Sequence, residues 1–82
     1  MITRKQCRAA RKLLGWKGIK LGKRANVNPV NIHTFEIGGT PPHPETIEKI
    51  VVTLEAAGIE FITGDSEGAG VRLRLQEGAH DH

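Results

Sequence analysis

A mainly helical fold closed by a C-terminal β-hairpin is predicted by three observations in this 82-residue chain. Apolar residues recur three and four apart as far as Gly58, which is the spacing of one face of a helix. Beyond Gly58 they alternate, the spacing of one face of a strand. The helical stretches are broken at Gly15, at Asn26-Val27-Asn28-Pro29 and at Gly38-Gly39-Thr40-Pro41-Pro42, residue types that end one helix or begin the next. Four helices and a hairpin follow.

Thr3 caps a first helix that runs to about Leu14 and stops at Gly15. Cys7, Ala10, Leu13 and Leu14 form its inward stripe, while Arg4, Lys5, Arg8 and Lys12 point elsewhere. On that stripe Cys7 is a small core residue rather than a nucleophile. Trp16 closes the core from the end of this helix. The second helix, about Lys17 to Ala25, faces inward with Leu21 and Ala25. The third, about Pro29 to Ile37, does so with Ile32 and Phe35, and Val27 is pinned in the turn between them. Asn26 tolerates the left-handed backbone that ends a helix. Asn28 supplies a side-chain cap, and Pro29 has no N–H to leave orphaned. Gly22, without a side chain, allows the two helices to cross closely.

Pro44 opens the fourth helix, which extends to Ala57 with Ile47, Ile50, Val51 and Leu54 on one face, and Gly58 ends it. Ile59 to Ile62 and Val71 to Leu75 then read as strands around Gly64-Asp65-Ser66-Glu67-Gly68-Ala69-Gly70. A two-stranded hairpin is marginal alone, so Phe61, Val71, Leu73 and Leu75 must pack on the helices or on another chain. Its edges invite pairing between two copies, and Arg72 and Arg74 on the other face keep them soluble. The division expected is a helical unit over 1–58, a hairpin over 59–75 on the same core, and a flexible polar tail over 76–82. Within that tail His80-Asp81-His82 is too loose a pair of histidines to make a metal site.

Composition narrows the function. No apolar run approaches the ~20 residues of a membrane span, and the chain begins with charges where a signal peptide would be apolar. A single cysteine excludes an internal disulfide framework, so a cytoplasmic location is expected. Net charge is +3, but residues 1–35 hold nine of the twelve Lys and Arg and no Asp or Glu. The remainder holds three basic residues and nine acidic ones. A basic half set against an acidic half is the footprint of a polyanion-binding surface; the plainer reading is a solvated basic helix face. Gly18-x-x-x-Gly22-Lys23 is one residue short of a phosphate-binding loop and lacks its Ser or Thr. No catalytic set, cofactor site or metal-ligand cluster is legible, so an enzyme is not expected.

The stretch GIKLGKRANVNPVNIHTFE, Gly18 to Glu36, resembles the Cro/repressor-type helix-turn-helix of transcription regulators, and the resemblance extends over about residues 2–57. Gly22, Asn26, Val27, Ile32 and Phe35 occupy that motif's small, turn and apolar positions in order. The resemblance implies a four-helix, lambda-repressor-like DNA-binding domain whose third helix lies in the major groove of double-stranded DNA. It places Pro29, Val30, Asn31 and Thr34 toward base edges, with Asn28 and His33 beside them. Asn31 could bond adenine, and Val30 and the Thr34 methyl could pack on a thymine methyl. His33 reads equally as a phosphate contact or as an exposed surface histidine. Lys17, Lys20 and the Gly18 N–H would meet phosphates at the start of the second helix, although Gly18 stands where the family usually has a DNA-contacting glutamine.

The same resemblance pairs Arg11 with Glu36 as a partly buried ion pair locking the third helix to the first. The loop after the third helix lacks the Lys or Arg that relatives carry there and has only His43. A homodimer, with the hairpin as the pairing element, is the expected assembly. A rival reading is a protein–protein module, antitoxin-like or bridging, that keeps the fold and reads DNA weakly. Pro29, Val30, Gly18 and the uncharged loop favour that rival, and the basic first 35 residues oppose it.

Overall fold

In a computed structural model, described over residues 2–62 and 70–74, four helices precede a two-stranded antiparallel hairpin. Helix α1 spans Arg4–Leu14, α2 Gly18–Ala25, α3 Pro29–Glu36 and α4 Pro44–Ala56; the strands are β1, Ile59–Ile62, and β2, Gly70–Leu73. The helix boundaries fall within a residue of those expected, with Lys17 preceding α2 as its cap and Ile37 and Ala57 following α3 and α4, whereas β2 begins one residue earlier than expected and ends at Leu73, before Arg74. Leu75, the 76–82 tail and most of the Gly64–Gly70 connection lie outside the described residues.

Thr3 begins α1 with more than a simple cap. Its hydroxyl accepts from the Gln6 N–H at 3.1 Å while the Gln6 side chain accepts from the Thr3 N–H at 2.9 Å. Two orphan donors of the first turn are thereby satisfied reciprocally. The Gln6 amide nitrogen then donates to the carbonyls of Ile62, at 3.2 Å, and Gly70, at 2.9 Å. One buried side chain thus caps a helix and ties down the end of the hairpin where β1 finishes and β2 begins.

The core gathers Cys7 and Ala10 of α1, Leu21 and Ala25 of α2, Ile32 and Phe35 of α3, and Ile47, Ile50 and Leu54 of α4. Ile2, Val27 and Ile59 complete it, with Leu14, Trp16, Val51, Phe61 and Val71 packed partly buried around it. Leu13, expected on the inward stripe of α1, is exposed; a four-residue stripe needs only one of two adjacent leucines, and Leu14 takes the place.

The hairpin packs on its own helices, β1 against α4 and β2 against α1. Its register pairs Ile59 with Leu73, Glu60 with Arg72, Phe61 with Val71 and Ile62 with Gly70. Phe61 and Val71 face the core as expected, but the anchoring residue is Ile59, fully buried, and Leu73 remains half exposed. Arg72 does more than keep an edge soluble, for it pairs across the hairpin with Glu60. Among the described residues no helix is long and apolar enough to cross a membrane.

Candidate nucleic-acid interface

The unit α2–turn–α3 is built by backbone geometry that few residues tolerate. Asn26 takes a left-handed conformation at φ 58°, and its N–H closes back on the Gly22 carbonyl. The Val27 N–H reaches the same carbonyl at 2.9 Å, which turns the chain inward and buries Val27. The next helix starts at once, because the Asn28 Oδ1 accepts from the Val30 N–H at 2.9 Å and Pro29 holds the first helical position. Gly22 is where the two halves meet. A Cβ on it would stand 2.7 Å from the Val27 carbonyl oxygen and 3.0 Å from Pro29 Cγ, so α3 begins directly on the backbone of α2.

With Ile32 and Phe35 buried, α3 turns Val30, Asn31 and His33 to solvent, and Asn28 just ahead of it is exposed as well. Val30 is 65% exposed. Two of the expected contacts are less available. Pro29 is half covered where it rests on Gly22, and Thr34 is half covered by the following loop, its Cγ2 only 2.8 Å from where a Cβ on Gly39 would lie. Asn28 has its oxygen committed to the helix cap, leaving its amide nitrogen as a donor.

At the start of α2, Lys17 sits in extended conformation as the capping residue and makes no side-chain cap bond. The first N–H groups of α2 therefore receive no acceptor from their capping side chain, and Lys17 beside them is exposed. Lys20 is placed differently. Its Nζ lies 5.4 Å from the centroid of the Trp16 indole, and the Arg24 guanidinium lies 5.4 Å from the same centroid. Trp16, expected only as packing, also gathers two cations of α2 against its ring. The signal was the four-residue spacing of Trp16, Lys20 and Arg24.

Arg11 and Glu36 meet as the resemblance implies. Arg11 Nε donates to Glu36 Oε2 at 2.9 Å and Nη2 to Oε1 at 2.7 Å, a bidentate pair whose side chains are 19% and 7% exposed. Two further bonds were not anticipated: Arg11 Nη1 donates to the Trp16 carbonyl at 3.0 Å, and the Cys7 thiol donates to Glu36 Oε2 at 3.3 Å. The clamp therefore joins α1, the α1–α2 connection and the end of α3.

Burial by itself would raise the Glu36 carboxyl. The bonds from Arg11 and Cys7 and the charges of Arg11 and Arg8 outweigh it, holding the group below the usual glutamate range. Burial first, then the charge of Glu36 and the bond to it, push the Cys7 thiol far above its ordinary value, so it stays protonated and unreactive. Arg11, bonded to Glu36, is held more firmly protonated still.

Among the described residues no three His, Cys, Asp or Glu side chains gather where they could hold a metal ion. Comparison with protein-family models and with the curated proteins gives no match for this chain.

Proposed function

We propose that this chain is a small double-stranded DNA-binding protein, a transcription regulator of the Cro/repressor helix-turn-helix type. In this reading the four helices have the lambda-repressor-like arrangement, and α3 lies in the major groove. The observation that carries it is the α2–turn–α3 unit: a left-handed Asn26 and a side-chain-free Gly22 seat α3 on α2 while Val30, Asn31 and His33 stay exposed. The unit belongs to the half of the chain that bears nine basic residues and, before Glu36, no acidic one.

Lys17 and the uncapped N–H groups of α2 meet phosphates, which fixes the register of α3 without reading sequence. Asn31 is the one side chain on α3 that can bond adenine bidentately, and Val30 can pack on a thymine methyl. So thin a set of base contacts implies modest discrimination, supplemented by the shape of the duplex. Such a protein works in the cytoplasm.

A mixed-sequence duplex tests this. Contacts to several phosphates predict binding that falls by orders of magnitude between about 50 and about 200 mM salt. Lys17→Glu should weaken it further, and more than Lys20→Glu does, because Lys20 is drawn onto Trp16. Absence of binding at either salt overturns the reading.

The proposal includes a homodimer joined through the hairpin, whose Ile62 and Leu73 are 42% and 44% exposed although Ile59, Phe61 and Val71 pack inward. Sedimentation should show a dimer that Ile62→Lys/Leu73→Glu converts to monomer; a variant that sediments unchanged removes the hairpin from that role. Deleting the hairpin would be a poor test, since Ile59 belongs to the core.

A second reading, a protein–protein module with weak DNA reading, has one observation in its favour. Ile19, Val30 and Ile37 are all exposed on or beside the same two helices.

A further inference from the structure

The basic residues of α1 are not spread evenly around it. Arg4, Arg8 and Arg11 are four and three apart, so they share one face, with Lys5 and Lys12 further round. That face is turned to the end of α3. Arg11 grips Glu36, the last residue of α3. Arg4 lies against the residue two beyond it: a Cβ on Gly38 would stand 3.4 Å from the Arg4 Cζ and 3.5 Å from Nε and Nη1. Gly38 is left-handed at φ +86° and carries no side chain, and the exposed guanidinium rests over it. Arg8, between the two along the helix, contributes its charge to stabilising the ionised Glu36.

Among the described residues the ion pairs are Arg11–Glu36 and Arg72–Glu60, and within that set neither Arg4 nor Arg8 forms a salt bridge of its own. α2 rests on the first turn of α3, and these two arginines flank its last. α3 has eight residues, about 12 Å of helix, and the major groove is about 12 Å wide.

We propose that Arg4 and Arg8 form a second set of phosphate contacts, gripping the DNA strand that borders the C-terminal end of α3 while the start of α2 holds the other. The inference rests on the DNA-binding reading above and adds the residues that complete its footprint. The loop after α3 carries no Lys or Arg of its own; α1 brings the positive charge to it instead. A guanidinium suits this task, since its planar fork matches a phosphate's oxygens.

The test uses the whole chain and the same mixed-sequence duplex across a salt series. Arg4→Gln/Arg8→Gln should bind at least tenfold more weakly at about 50 mM salt, with a slope of log affinity on log salt shallower by about 2, or 0.9 for each phosphate lost. Lys5→Gln/Lys12→Gln, which removes the same charge from the neighbouring face, should keep the slope near that of the parent. Arg4→Lys/Arg8→Lys should restore most of it, and equal thermal midpoints would show that folding is intact. If the parent binds and the double glutamine variant matches it, the second contact set is refuted and DNA binding survives. If both pairs of glutamine variants lose slope equally, net charge alone explains the effect and the proposal fails. If the parent does not bind, both the footprint and the reading beneath it fall.

Discussion

Arg11→Met should lower the unfolding free energy at neutral pH by about 3 kcal/mol, the usual cost of stranding one member of a buried ion pair. Glu36 would keep its charge at 7% exposure with only the Cys7 thiol left of its side-chain donors, and the Trp16 carbonyl would lose its guanidinium. In a domain this small the thermal midpoint should fall by about 15 °C, since 1 kcal/mol moves it by some 4–8 °C. Arg11→Met/Glu36→Met should recover part of the loss, because no uncompensated charge remains buried.

The effect is tied to pH through Glu36. Its carboxyl is lower in the folded protein than in the unfolded chain, so the unfolded state binds the proton first as pH falls. The stabilisation is complete above the ordinary glutamate value near 4.3 and is lost as pH drops through the lower folded value. Urea denaturation of the parent and of Arg11→Met at pH 7 and in strong acid measures this directly. A difference between the two proteins that stays constant across that range would refute the assignment of the stabilisation to the ionised pair.

Gly22→Val should destabilise by about 2–3 kcal/mol, in the range for forcing extra volume into a packed site. The atom in the way is the Val27 carbonyl oxygen, 2.7 Å from the new Cβ, and backbone cannot swing aside as the end of a side chain can. Because valine is no worse than glycine for a helix, the loss measures the clash alone. Gly18, in the same helix, makes the comparison. A Cβ there meets nothing within 4 Å, so Gly18→Ala should raise stability by a few tenths of a kcal/mol, part of the ~1 kcal/mol that glycine costs a helix interior. Thermal melts of the two variants should move in opposite directions. A Gly22→Val protein as stable as the parent would mean that α3 does not rest on α2 as closely as described.

The contrast between these glycines marks the boundary of what could be read from residue types. The sequence already marked Gly22 as the place where the two helices cross; packing adds how close that crossing is, and that Gly18 of the same helix has open space where a Cβ would lie. Helix boundaries were legible because they depend on neighbours along the chain: Thr3, Asn26, Asn28 and Pro29 act on backbone groups within four residues of themselves. The Arg11–Glu36 pair was legible only through a family resemblance, since nothing local joins residues 25 apart.

What stayed illegible was contact between elements with no periodic signature. Gln6 drew no reading from the sequence and is a buried tie to the hairpin. Cys7 read as a small apolar residue and proved to donate to Glu36. Lys17 and Lys20 were read alike, although the four-residue spacing of Trp16 and Lys20 carried the signal that separates them. By itself the sequence determined four helices, the turn at Asn26–Asn28 and the basic half, because propensity, capping and charge are local quantities. Tertiary structure alone decided that Gln6 ties α1 to the hairpin and that Arg4 lies on the far end of α3, because those depend on which surfaces are brought within a few ångströms of each other.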